Sequence, residues 1–134
     1  MQRRILFIED HDDTRELVKF VLESSGYSLT SDATVAAGLR LAAASKFDLC
    51  LIDNWLPDGA GVELCEQIRA FDRLTPVLFY SGATLDSDKL SAMRAGAQGY
   101  LEKPCPFADL LQTVAFLIAQ AEQRARLKVR TLVA

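Results

Sequence analysis

The chain is poor in residues that build covalent or metal-held frameworks. Among its 134 residues there are three cysteines, Cys50, Cys65 and Cys105, and one histidine, His11. The cysteines form an odd, widely spaced set with no C-x-x-C pair, which excludes a disulfide scaffold and a structural zinc site. Four prolines and seven glycines are too few and too scattered for a low-complexity tract or a linker. No apolar window approaches the roughly 20 residues of a membrane-spanning helix. The opening run Ile5-Leu6-Phe7-Ile8 is cut short by Glu9 and Asp10, too early for a signal peptide. An excess of charge is lacking as well: 15 Lys and Arg against 18 Asp and Glu leave a net charge of -3, which gives no bulk drive toward nucleic acid or an anionic membrane. These absences describe a reduced, soluble, cytoplasmic domain that contacts neither nucleic acid nor membrane directly.

Half of the residues are hydrophobic, enough for a full core, and the length fits a single domain. Short apolar runs alternate with stretches whose apolar residues recur at three and four, the pattern of repeated strand-helix units. Ile5 to Ile8 reads as a strand buried on both faces. A helix follows, with Asp13 as N-cap, Glu16 closing a capping box and Gly26 as terminator. Tyr27 to Thr30 alternates like an edge strand, and Val35 to Ser45 is an alanine-rich helix. Phe47 to Ile52 is the third strand, ending at Asp53, and Asn54 to Gly61 is a loop by its Pro, Asp and Gly content. Val62, Leu64, Cys65 and Ile68 mark a third helix, and Pro76 to Tyr80 a fourth strand. Asp86 to Arg94 reads as a short helix closed by Gly96, and Gly99 to Leu101 as the fifth strand. The last helix carries Leu110, Leu111, Val114, Leu117, Ile118 and Ala121 on one stripe and continues toward Arg126. Five such units predict an α/β, flavodoxin-like, doubly wound parallel sheet of order 2-1-3-4-5 with helices on both faces.

In such sheets chemistry gathers beyond the carboxyl ends of the strands. The residues ending these strands converge in type: Glu9 and Asp10 after the first, Asp53 after the third, Ser81 after the fourth and Lys103 after the fifth. Carboxylates brought that close repel one another unless a cation sits among them, and hard oxygen donors with room for water suit Mg²⁺. A magnesium ion, a lysine and a hydroxyl around one aspartate form a phosphoryl-transfer constellation, with Asp53 as the nucleophile. Taken singly, these residues read as turn acids, a loop serine and a surface lysine; only their joint placement carries the functional reading. His11 is read as a loop residue without a role, and Asp12 and Asp58 as cap and turn residues.

The ordered set Ile8-Glu9-Asp10, Ile52-Asp53, Leu56-Pro57-Asp58-Gly59, Tyr80-Ser81-Gly82-Ala83 and Ala95-Gly96-Ala97-Gln98-Gly99-Tyr100-Leu101-Glu102-Lys103-Pro104 resembles the receiver domain of two-component response regulators over about Arg4 to Ala121. The resemblance implies that Asp53 is the phosphoacceptor. It implies that Glu9, Asp10, Asp53 and the backbone carbonyl of Trp55 hold Mg²⁺, and that Ser81 and Lys103 bind the phosphoryl group. Ser81 and Tyr100 become the switch pair, with Tyr100 turning inward when the hydroxyl moves, and the peptide before Pro104 is expected to be cis. A sensor histidine kinase or histidine phosphotransfer protein would be the donor. The surface of the fourth helix, fifth strand and fifth helix would meet a downstream protein or output domain, or a second copy in a homodimer. The protein would then be no conventional enzyme, catalysing only its own phosphorylation and dephosphorylation.

Residues 1–121 form the receiver in this reading, and 122–134 a basic extension of its last helix. Glu9 stands where an aspartate is more usual, and Cys105 where an aromatic is frequent. Trp55 is bulky enough to shield an acyl phosphate, while Ala83 has no group to orient water, so autodephosphorylation is expected to be slow. Two alternatives remain at this level: a receiver-like interaction module that is never phosphorylated, and a haloacid-dehalogenase-like phosphatase. The phosphatase would want an aspartate where Trp55 stands.

Overall fold

Strands that are apolar at every position need cover on both faces, and the two most continuous runs, around Ile5 and Leu51, lie side by side at the centre of the sheet. The computed structural model describes residues 2–133. In chain order its elements are β1 (Arg4–Ile8), α1 (Asp12–Ser24), β2 (Ser28–Asp32), α2 (Val35–Ala44), β3 (Leu49–Ile52), β4 (Trp55–Leu56), β5 (Gly59–Ala60), α3 (Gly61–Arg69), β6 (Val77–Ser81), α4 (Asp86–Ala95), β7 (Gly99–Glu102) and α5 (Phe107–Val133). Five strands form one parallel sheet of order β2-β1-β3-β6-β7. Setting aside the small antiparallel hairpin β4–β5, this is the anticipated 2-1-3-4-5 order.

The alternation of side chains along each strand divides the core in two. Ile5, Phe7, Leu49, Leu51, Leu78 and Tyr80 pack with Val18 and Leu22 of α1 and with Leu110, Val114, Leu117 and Ile118 of α5. On the opposite face Leu6, Ile8, Cys50, Ile52, Val77 and Phe79 pack with Val35 of α2, Leu64 and Ile68 of α3 and Ala92 of α4. Cys50 and Cys65 are buried free thiols, and burial pushes Cys50 up to about 12 and Cys65 to about 11.

Several boundaries differ from the sequence reading, each for a local reason. His11, not Asp13, is the N-cap of α1: its Nδ1 accepts from the Thr14 amide at 3.3 Å, and Asp12 and Asp13 fall in the first turn, where carboxylates complement the helix dipole. The residue given no role therefore has a structural one. β3 begins at Leu49 rather than Phe47 because the Asp48 side chain takes the Arg4 amide at 2.7 Å in place of a ladder bond. β2 runs Ser28–Asp32 in place of 27–30, since the Tyr27 amide closes α1 by bonding the Leu22 carbonyl. The segment after Asp53 contains a hairpin rather than only a loop, and α5 runs well beyond Arg126.

Asp58, at the tip of that hairpin, accepts from the amides of Val35 at 2.7 Å and Ala36 at 3.0 Å and so caps α2 from outside its own segment. The Ala36 and Val35 amides hold its carboxyl below the usual aspartate range. A depressed folded value means that the stabilisation is present above the unfolded pKa of about 3.9 and is lost as the pH falls through the folded value. Thermal melts should show Asp58→Ala less stable than the parent at neutral pH, with the gap closing on acidification below the ordinary aspartate range.

Candidate functional site

Every parallel strand of this sheet delivers its last residue to the same edge, so side chains far apart in sequence meet there. Glu9 follows β1 and is 1 % exposed, Asp53 follows β3 and is 5 % exposed, and Ser81 ends β6 fully buried. Asp10, beside Glu9, is exposed, which leaves the cluster open to solvent on one side. Carboxylate oxygens of Glu9, Asp10 and Asp53 lie within 4.8 Å of one another. Lys103 reaches in from the end of β7, forms an ion pair with Glu9 and lies 3.4 Å from Asp53 Oδ2. The Trp55 amide donates to Asp53 Oδ1 at 3.3 Å, and the His11 amide to Glu9 Oε2 at 3.2 Å. The Lys103–Pro104 peptide is cis.

The electrostatics follow from this crowding. Burial raises Glu9 above the usual carboxylate range and the charge of Asp53 adds to the rise, while Lys103 opposes it. Burial alone would lower Lys103, but the carboxylates of Glu9 and Asp53 outweigh it and hold the ammonium charged. Three acids against one lysine leave the cluster net negative, and its donors are all hard oxygens. That chemistry fits a divalent cation such as Mg²⁺, which takes a few carboxylates and keeps several waters.

Ser81 and Tyr100 stand on the opposite flank. Ser81 Oγ accepts from the Ala83 amide at 3.2 Å. Tyr100 is half-buried, its ring stacked on Phe79 with centroids 5.5 Å apart, and its hydroxyl donates to the Ala83 carbonyl at 2.5 Å. Burial raises its hydroxyl pKa, against the nearby polar side chains of Ser81 and Asn54. The Trp55 side chain is 64 % exposed and its ring passes over Gly82, where an added Cβ would meet it at 3.3 Å.

A family model described as the response regulator receiver domain matches residues 5–115. The chain belongs to the response regulator receiver family. It is 36 % identical over 106 residues to the KDP operon transcriptional regulatory protein KdpE of Escherichia coli, a match covering 79 % of this chain and 47 % of that protein. Among solved structures it is similar to a CheY-like receiver domain protein from Methanospirillum hungatei, with TM-score 0.90, 28 % identity and coverage of 92 % and 99 % of the two chains. It is also similar to the receiver domain of a sensor histidine kinase from Pseudomonas aeruginosa that has a magnesium ion coordinated in its active site cleft, with TM-score 0.83, 28 % identity and coverage of 89 % and 99 %. The chain spans about half the length of the curated relatives it matches. Among the described residues no helix is long and apolar enough to cross a membrane.

The sequence reading passed over two residues that position this receiver site. Asn54 is buried next to Asp53, and its carbonyl and side-chain oxygen accept from the amides of Gly61 at 2.9 Å and Val62 at 3.3 Å. Gly61 begins α3 against the backbone of β3: an added Cβ would lie 2.3 Å from the Asp53 carbonyl oxygen and 2.8 Å from Ile52. Glycine here is a matter of space, and a glycine directly after a turn-rich segment was the only signal available. Gly61→Ala must push the Asp53 backbone aside. It should destabilise the domain by about 1–3 kcal/mol, as overpacking does, measured by urea denaturation, and shift the amide resonances of residues 53–55.

Proposed function

We propose that the domain is a phosphorylation-dependent signalling switch with Asp53 as phosphoacceptor. The observation that carries this reading is the clustering of three carboxylates, two of them nearly inaccessible, with Lys103 reaching both Glu9 and Asp53. A sensor histidine kinase or histidine phosphotransfer protein presents phosphohistidine, and an Asp53 carboxylate oxygen attacks phosphorus in line. The new O–P bond forms as the P–N bond breaks, and the imidazole departs with that bond's electron pair. Lys103, already 3.4 Å from Asp53, neutralises charge on the transferred group, and Ser81 supplies a hydroxyl to one phosphoryl oxygen. Glu9, Asp10, Asp53 and the Trp55 backbone carbonyl would hold Mg²⁺. When bound, the ion supplies positive charge that offsets the negative charge of the phosphoryl oxygens.

The receiver unit in this reading is residues 1–121, with the basic run 122–134 prolonging α5, and it works in the cytoplasm. It acts on no separate substrate, catalysing only its own phosphorylation and dephosphorylation. The output surface is α4, β7 and α5, offered to a downstream protein, an output domain or a second copy. Relatives that are transcriptional regulators of about twice this length support an output domain as that partner.

Intact mass spectrometry after incubation with acetyl phosphate and Mg²⁺ tests the acceptor. A single phosphate adduct that requires the ion and is absent from Asp53→Asn is the expected result; an adduct on the variant, or none with acetyl phosphate and phosphohistidine donors alike, overturns it. Trp55 beside the acceptor shields the acyl phosphate from water, so Trp55→Ala should lose its phosphoryl group several-fold faster than the parent in a phosphate-release assay. An unchanged rate removes the shielding role.

A further inference from the structure

The apolar stripe by which α5 packs on the sheet does not stop where the sheet stops. Past Ala121 the helix overruns the amino-terminal edge of the strands, and its inner side closes a cavity of about 290 Å³ against the segment joining α3 to β6. Leu74, Pro76 and Leu117 make the apolar part of its wall, and Arg73, Arg124 and Lys128 stand around it. No carboxylate lines it. None of the three cations has an ion-pair or hydrogen-bond partner among the described residues. Carboxylates lining the two adjoining hollows, by contrast, are engaged: Asp72 by the amides of Leu74 and Thr75, Asp48 by the Arg4 amide and Glu122 by Arg3.

An acidic protein has here gathered three positive charges, unpaired among the described residues, around a partly open apolar hollow. The volume falls at the small end of ligand clefts, which run from about 300 to 1,000 Å³ and combine apolar walls with a few orienting polar groups. We propose that this cavity binds a small apolar anion, a carboxylate or phosphate carried on an aromatic or short acyl body. The body lies against Leu74, Pro76 and Leu117, and the anionic head meets Arg124, Lys128 and Arg73. A flat basic patch would bind anions by charge alone; the apolar walls add selection for the body. The site lies at the opposite end of β6 from Ser81, about 16 Å away at the rise of a strand, so it is distinct from the acidic cluster and does not depend on the phosphoacceptor reading.

Naphthoate is a suitable probe, with neutral naphthalenemethanol as the control, each titrated into the intact chain by isothermal calorimetry and by amide chemical shifts. Saturable binding of naphthoate at one site, with shifts concentrated at residues 73–76 and 124–129, and binding of the neutral analogue at least tenfold weaker, are expected. Arg124→Gln combined with Lys128→Gln, both on the exposed part of α5, should weaken naphthoate about tenfold or more, the worth of a lost charge-assisted hydrogen bond, while circular dichroism stays unchanged. Equal affinity for the neutral analogue, full affinity in the double variant, shifts elsewhere on the surface, or no saturation at millimolar concentration would each overturn the proposal.

Discussion

The ion pair between Lys103 and Glu9, with Asp53 beside it, is the contact on which the rest of this molecule turns. Two carboxylates almost out of reach of water cannot sit side by side at the end of a hydrophobic sheet without a counter-charge. Lys103 provides it from the end of β7, two strands away from β3 and three from β1. The sheet order is thus an electrostatic requirement as well as a packing result. Only when β1 and β3 are neighbours and β6 and β7 follow do the acids, the hydroxyl and the ammonium arrive at one edge. Because Lys103 holds one charge against three, the cluster keeps a residual demand for a cation, and that demand, more than any single residue, makes the edge suited to a metal and a phosphoryl group.

Backbone fit keeps the acidic residues in place. Gly61 lets α3 begin in contact with the Asp53 carbonyl, and Asn54 ties that helix start back to the loop through two amides. Asp58 holds the hairpin tip against the start of α2. The segment from Asp53 to Gly61 is therefore pinned at its base and at its tip, while Trp55 between them stays largely in solvent. A loop fixed at both ends holds the Asp53 backbone in place and leaves the side above it open, which suits the proposed transfer of a group from another protein.

How much of this could be read from the residues depended on the range of the interaction. Continuous apolar runs such as Ile5 to Ile8 and Leu49 to Ile52 declare buried parallel strands directly, and with the order of the motifs they were enough for the sheet and for the acidic edge. Boundaries set by a side chain reaching a distant backbone were not legible: Asp48 bonding Arg4 trims β3, and His11 capping α1 displaces Asp13 from that role. Gly61 escaped for the same reason, since the atom it must avoid belongs to another segment. The overrun of α5 was partly visible, because Ala125 and Val129 prolong the stripe that begins at Leu110, but the cavity it closes needs Leu74 and Pro76, which helical periodicity cannot place opposite it.

Ser81 and Tyr100, the proposed switch pair, are joined through the backbone of Ala83, whose side chain offers no group to either. Ser81 Oγ accepts from the Ala83 amide, and the Tyr100 hydroxyl donates to the Ala83 carbonyl, so the buried backbone of Ala83 stands between hydroxyl and aromatic. In the proposed reaction Ser81 turns toward a phosphoryl oxygen and gives up the Ala83 amide. That amide lies in a buried segment, where an unpaired donor costs roughly 1–3 kcal/mol, so the loop from Ser81 to Leu85 must rearrange to satisfy it. Any such rearrangement moves the carbonyl that holds Tyr100. The stacking of Tyr100 on Phe79, nearly parallel at 4°, limits how the ring can respond: it can slide along the Phe79 face with its hydroxyl following the carbonyl, or leave the stack altogether. In the proposed reaction a local gain of charge at Asp53 would in this way be converted into a choice between two positions of a large side chain on β7, within the surface proposed to meet the partner.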